Sequence, residues 1–173
     1  MPPHCDTMDG PVVVAAKMAL ERGNVNYILP WVPKESEKEV VAAFQKALTA
    51  GKNGGEAKEV ANLWFFETVV RLHRAGEKAP YTGLKPAGLD EGPVIPLVEE
   101  AIKMESPSAL IEFLSEAINQ EITNKFDLVM EKKDHDVNNV DAGRHFVHAF
   151  LGLTLYSHHL YKFIKENDHG KEK

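Results

Sequence analysis

Apolar residues recur at three- and four-residue intervals over most of this chain, and Gly or Pro interrupts each run. That period matches the 3.6-residue turn, so it dictates amphipathic helices and leaves little room for a sheet. The clearest run opens at Ser106-Pro107, a helix-start signal, and carries Leu110, Phe113, Leu114, Ala117, Ile118 and Ile122 on one face. It ends at a polar break over 134–139.

The same reasoning places the other helices. Asp9 is a candidate cap for a first helix, with Pro11 in its first turn and Gly23 past its end. Ser36 and Glu39 have capping-box spacing, and the helix they start is expected to bury Val40, Val41, Phe44 and Leu48 before Gly51. A third helix is predicted over 56–75, stopped by Gly76, a short one over 96–105, and a last one over 140–167. Residues 25–32, broken by Pro30 and Pro33, are the one stretch that reads as either strand or turn. The expected fold is all-α: one helical-bundle domain over 1–173, with four long helices plus one or two short ones. Residues 1–8 read as an irregular start and 168–173 as a frayed tail.

Composition excludes several classes. The 173 residues hold 20 Lys+Arg against 26 Asp+Glu, a net charge of −6, which argues against a nucleic-acid surface. No run approaches the ~20 apolar residues of a membrane span. The start, Met1-Pro2-Pro3-His4, lacks the charged and apolar regions of a signal peptide, so a cytoplasmic protein is expected. A single cysteine, Cys5, rules out an intramolecular disulfide, while the histidines number eight.

Four places could carry chemistry. The string His4-Cys5-Asp6-Thr7-Met8-Asp9-Gly10 packs an imidazole, a thiol and two carboxylates together. Sulfur with imidazole suits zinc, nickel, iron or copper rather than magnesium or calcium. A chelate through the chain's amine and main-chain amides is blocked by Pro3, which has no N–H, unless cleavage frees the amine of His4. In the third helix, Glu67, Arg71 and Arg74 share a stripe flanked by Val60, Leu63, Trp64 and Val70. Glu67 and Arg71 either pair with each other at i, i+4 or serve as metal ligand or base and anion holder. His73 is expected to face Glu77 one turn on. In the last helix, Arg144, His145, His148, Gly152, Leu155 and His159 share a broad face opposite an apolar stripe of Phe146, Phe150, Leu153, Leu160 and Ile164. His145 and His148 have a spacing compatible with one metal, and Gly152 costs that helix about 1 kcal/mol against Ala. Finally, the loop from Lys78 to Gly88 offers Tyr81 as proton donor and Lys85 as cation, without a phosphate-loop pattern.

Two strings together carry a resemblance. His4-Cys5-Asp6-Thr7-Met8-Asp9-Gly10-Pro11-Val12-Val13, and Phe66-Glu67-Thr68-Val69-Val70-Arg71-Leu72-His73-Arg74-Ala75-Gly76-Glu77 continuing to Tyr81-Thr82-Gly83-Leu84-Lys85-Pro86-Ala87-Gly88, resemble a prokaryotic family of unknown function over nearly the whole chain. The first string is also similar to the nickel hook of nickel superoxide dismutases. His4 and Cys5 match that pattern, but Asp9 stands where the hook has its second cysteine.

The expectation is a bundle that binds a transition metal through His4, Cys5, Glu67, His73 and His148, with Glu67, Arg71, Tyr81 and Lys85 as catalytic or anion-binding groups. An open coordination position would permit redox or hydrolytic chemistry on a small molecule. The rival reading is a non-catalytic small-molecule-binding or dimerisation module with incidental histidines. A third is a metal-free enzyme using Cys5 as nucleophile and His73 or His148 as base. Homo-oligomerisation stays open.

Overall fold

The computed structural model describes residues 3–166. The tail expected to fray lies outside the described residues, as do Met1 and Pro2. The fold is all-α, with no strand among the described residues. Six α-helices follow in order: α1 (Pro11–Arg22), α2 (Glu37–Gly51), α3 (Gly55–Gly76), α4 (Val94–Lys103), α5 (Ser108–Lys133) and α6 (Val140–Glu166). The chain divides into two compact units, residues 1–93 and 94–173.

In the first unit, α1, α2 and α3 pack around Val12, Val13, Val40, Phe44, Phe65, Val69 and Val70. The rings of Phe44 and Phe65 meet at 5.9 Å, tilted by 55°. The 25–32 stretch resolves into two short 3-10 turns, Val25–Tyr27 and Leu29–Trp31, and Ile28 between them is fully buried. Pro30 and Pro33 explain why no strand forms, since each removes an N–H that a ladder would use. Gly23 ends α1 in the left-handed conformation (φ 62°), closing the helix as its position predicts.

Several expected details differ. Asp9 does not cap α1: Gly10 holds that position, and the Asp9 carboxylate instead accepts the Gly88 N–H at 2.8 Å. Ser36 makes no capping bond, because its backbone is already helical (φ −90°, ψ −10°) at the end of a 3-10 turn. The inward face of α2 is Val40, Ala43, Phe44 and Ala47, while Val41 is exposed and Leu48 half-buried. On α3, Val60, Leu63 and Trp64 face solvent, so that helix is not buried all round.

The second unit is an antiparallel hairpin of α5 and α6, with α4 packed on α5. Its inner side is thin. Val129 of α5 and Ala149 of α6 are buried, and the ammonium of Lys125 covers the Tyr156 ring at 4.9 Å. The stripe read as core on α6 is only partly enclosed: Phe146, Leu153 and Leu160 are half-buried, whereas Phe150 and Ile164 are exposed. No described helix is long and apolar enough to cross a membrane.

Candidate functional site

The N-terminal segment forms a hook against one end of the first unit. Residues Pro3–Asp6 make a 3-10 turn, closed where the Thr7 hydroxyl and N–H donate to the His4 carbonyl at 3.0 and 3.4 Å. The chain then doubles back, with Gly10 N–H donating to Thr7 O at 3.0 Å. This return leaves no room at Gly10: a Cβ there would stand 1.8 Å from the His4 carbonyl oxygen. The glycine is therefore demanded by the close approach of two backbone segments.

Three elements hold the hook. The loop after α3 runs parallel to it, Lys85 N–H donating to Asp6 O at 2.8 Å and Met8 N–H to Lys85 O at 3.0 Å. Lys17 of α1 donates to Met8 O at 2.6 Å. Arg74 of α3 donates to the Asp6 carboxylate at 2.7 Å, with both side chains buried. Arg74 also meets Glu77 at 2.9 Å. Glu77 in turn stands 3.3 Å from His73 Nε2, ion-pair distance without hydrogen-bond geometry, while His73 Nδ1 meets the Trp31 carbonyl at 2.7 Å. Asp6, Arg74 and Glu77 thus form one largely buried charged chain, with His73 at its end. An ion inside a protein persists only with such partners.

Gly76 completes the arrangement. A Cβ there would lie 2.4 Å from the Pro33 ring, so the end of α3 and the turn before α2 touch backbone to ring. Lys78, just beyond, adopts a positive φ of 56° that lets Ala79 N–H return to Arg74 O at 2.9 Å.

Cys5 is buried in the core beside this charged chain. Burial pushes its thiol from 9.0 to about 11, against the opposing pull of Arg74. Its Sγ stands 3.6 Å from His4 Nε2 and 3.9 Å from Nδ1. Such a thiol is protonated at neutral pH, which works against the reading of Cys5 as a ready nucleophile.

The other residues marked from sequence fall in different places. Glu67, Arg71 and Tyr81 do come together, lining a 230 Å³ cleft with Trp64 and Thr68. Glu67 and Arg71 do not pair with each other. Tyr81 donates to Glu67 at 3.3 Å, and Arg71 reaches across to Glu39 of α2 at 2.6 Å. Burial and the Glu67 carboxylate push the Tyr81 phenol up to about 12, so it acts as a donor rather than a base. The Lys85 main chain braces the hook, while its ammonium rests 3.5 Å from Thr82 O. His148 lies exposed on α6 in the second unit, as do His145, His158 and His159. Among the described residues, no three His, Cys, Asp or Glu side chains are grouped to hold a metal ion.

Sequence reasoning bet on Arg71 and missed that Arg74, one turn on, is the buried arginine. Both lie on the same stripe, and the pattern of α3 alone does not tell them apart. Asp6, directly beside Cys5, was the available hint, since a buried carboxylate requires a cation.

A model of a family of unknown function, DUF6448, matches residues 9–156. The chain belongs to that family. Asp9, Gly10, Arg74, Glu77 and Lys85 of the hook and its braces lie within the match, and residues 4–8 lie before it. No curated protein and no solved structure matches the chain. The family assignment covers most of both units and supplies no activity.

Proposed function

We propose that this protein binds one transition-metal ion at the His4–Cys5 pair. The observation that carries the reading is the 3.6 Å separation of Cys5 Sγ and His4 Nε2. Zinc–sulfur and zinc–nitrogen bonds of about 2.3 and 2.0–2.1 Å, set at a tetrahedral angle, place the two donors about 3.6 Å apart. The hook that bears the pair is fastened from α1, α3 and the loop, and because Sγ stands beside the His4 ring, 3.9 Å from Nδ1 as well, a turn of that ring would aim Nε2 at an ion on the sulfur. The His-Cys-Asp order is similar to the nickel hook, which favours a thiolate-accepting metal such as nickel, zinc, copper or iron. Glu67 and His73 contribute less to this reading than their sequence positions suggested, each having a partner of its own.

Two protein donors leave the remaining positions to water or a small-molecule ligand, at which the ion would supply Lewis-acid or redox chemistry. Binding must displace the Cys5 proton, so affinity rises with pH up to about 11. The test is titration of metal-free protein with cobalt(II), nickel(II) and zinc(II), read by a thiolate-to-metal charge-transfer band and by metal analysis. One equivalent is expected, lost in Cys5→Ser and His4→Ala. Sub-stoichiometric metal indifferent to both changes would overturn the reading.

A second reading rests on a cleft of about 420 Å³ between α1, α2 and α3. Leu20, Leu48 and Phe66 give it an apolar lining, and Lys52 and Lys58 line it together with Glu21, while the Lys17 ammonium is held by Met8 O. Small sites combine apolar walls with a few polar groups in this way, which suits an amphipathic anion such as a medium-chain carboxylate. Calorimetric titration with octanoate should give heat that Lys58→Glu abolishes. Absence of binding by the unaltered protein removes this reading and leaves the metal proposal standing.

A further inference from the structure

We infer that the cleft between α3 and the loop that follows it binds a small quaternary ammonium ligand of the trimethylammonium kind, with Glu67 as counter-ion and Trp64 and Tyr81 as aromatic walls. Trp64, Glu67, Thr68 and Arg71 stand at i, i+3, i+4 and i+7, so one face of α3 presents all four. Tyr81 adds its phenol from the loop to the same space of about 230 Å³. The loop is tied in place: Tyr81 packs against the core, Ala79 N–H donates to Arg74 O, and Lys85 N–H donates to Asp6 O. Walls already in place spare a ligand the cost of ordering them.

The charges in the cleft set the sign of the ligand. Arg71 is held by Glu39 at 2.6 Å, so its charge is matched. Glu67 has no ion-pair partner among the described residues, and its hydrogen bond comes from the Tyr81 hydroxyl at 3.3 Å. One negative charge is therefore left unmatched. In the same lining the Trp64 side chain stays 43 % exposed. Aromatic rings attract a cation through their quadrupoles, and indole does so best.

The lining also selects the kind of cation. A hard metal ion takes six or more oxygen ligands, and the cleft supplies a single carboxylate. A primary ammonium brings three N–H donors and a tight water shell, and ring faces are poor acceptors. A quaternary ammonium has no N–H to satisfy. Its methyl groups bury against the Trp64 and Tyr81 rings while its charge meets Glu67. None of these residues belongs to the His4–Cys5 pair or to the cleft of Lys58, so the failure of either reading leaves this one standing.

Fluorescence tests the inference. The chain has two tryptophans, so Trp31→Phe leaves Trp64 as the reporter, and it keeps the main-chain carbonyl that His73 meets. Tetramethylammonium chloride and choline chloride should give a saturable change with a dissociation constant on the order of 1 mM, which sodium and ammonium chloride at matched ionic strength do not give. Glu67→Gln in that background should raise the constant at least about 3-fold. Arg71→Gln removes the opposite charge from the same cleft and should leave the constant unchanged or lower it. Should Trp31→Phe fail to fold, saturation transfer from the unaltered protein to the methyl protons of choline gives the same reading. Phosphatidylcholine vesicles separate the two sources of the group: sedimentation of the protein with them, abolished by Glu67→Gln, assigns a lipid headgroup, and its absence beside choline binding assigns a free solute. No saturable change with tetramethylammonium overturns the inference, as does a change that Glu67→Gln leaves intact. Binding weakened by Arg71→Gln and not by Glu67→Gln marks an anion site and overturns it as well.

Discussion

The two units share a fold class and differ in how each closes. In the first, three helices of 12, 15 and 22 residues enclose a continuous core, and an eight-residue hook seals one end. In the second, helices of 26 and 27 residues bury two side chains between them. Helix length is therefore no measure of enclosure. Three helices packed on one another bury the inward faces of α1, α2 and α3 together, although Val60, Leu63 and Trp64 stay exposed. The long pair lies side by side, and a helix with apolar residues on two sides can satisfy only one of them within a hairpin.

That contrast can be broken from the closed side first. Truncating Phe44→Ala should cost about 3–5 kcal/mol by emptying a site with no exposed surface, and Arg74→Leu a similar amount by stranding Asp6. Phe150→Ala in the second unit should stay within about 1 kcal/mol. Urea unfolding of the three variants checks the contrast. Equal costs for Phe44 and Phe150 would mean that the units do not differ as described.

The hook gives the next largest effect. Gly10→Ala forces the His4 carbonyl away and should destabilise the first unit by about 1–3 kcal/mol, with loss of the metal equivalent. Retained metal binding in a folded Gly10→Ala protein would separate the hook from the site. Smaller still is the pH effect at Cys5. Its thiol titrates near 9.0 when unfolded and about 11 when folded, so between those values the native state holds the extra proton. Stability should be level below pH 9 and fall as pH rises from 9 to 11, and Cys5→Ala should flatten that limb in a pH series of thermal melts. The smallest expected change is a gain. Lys78 sits at φ 56°, and Lys78→Gly should add up to about 1 kcal/mol, seen as a raised melting temperature.

The helices were legible because their signals are local. Gly23, Gly76 and the 134–139 break mark real ends, and Pro11 stands at the first position of α1. Capping was not, because Asp9 and Ser36 have the right side chains for caps but are used otherwise by tertiary contacts. The site was legible in part. Glu67, Arg71 and Tyr81 share a cleft as a helix wheel and a nearby loop suggest. The buried chain from Asp6 through Arg74 to Glu77 was not, since it depends on residues 68 positions apart. Nothing in the period of α3 tells which arginine faces a segment so distant.

The fastening of the hook also has a temporal side. Its contacts join Asp6 to Arg74 and Asp9 to Gly88, spans of 68 and 79 residues. Such loops are costly to close, so Asp6 and Asp9 wait for these distant partners while the local contacts to Thr7, Gly10 and Lys17 form first. The segment is thus among the last parts of the first unit to be fastened, although its own turn is local.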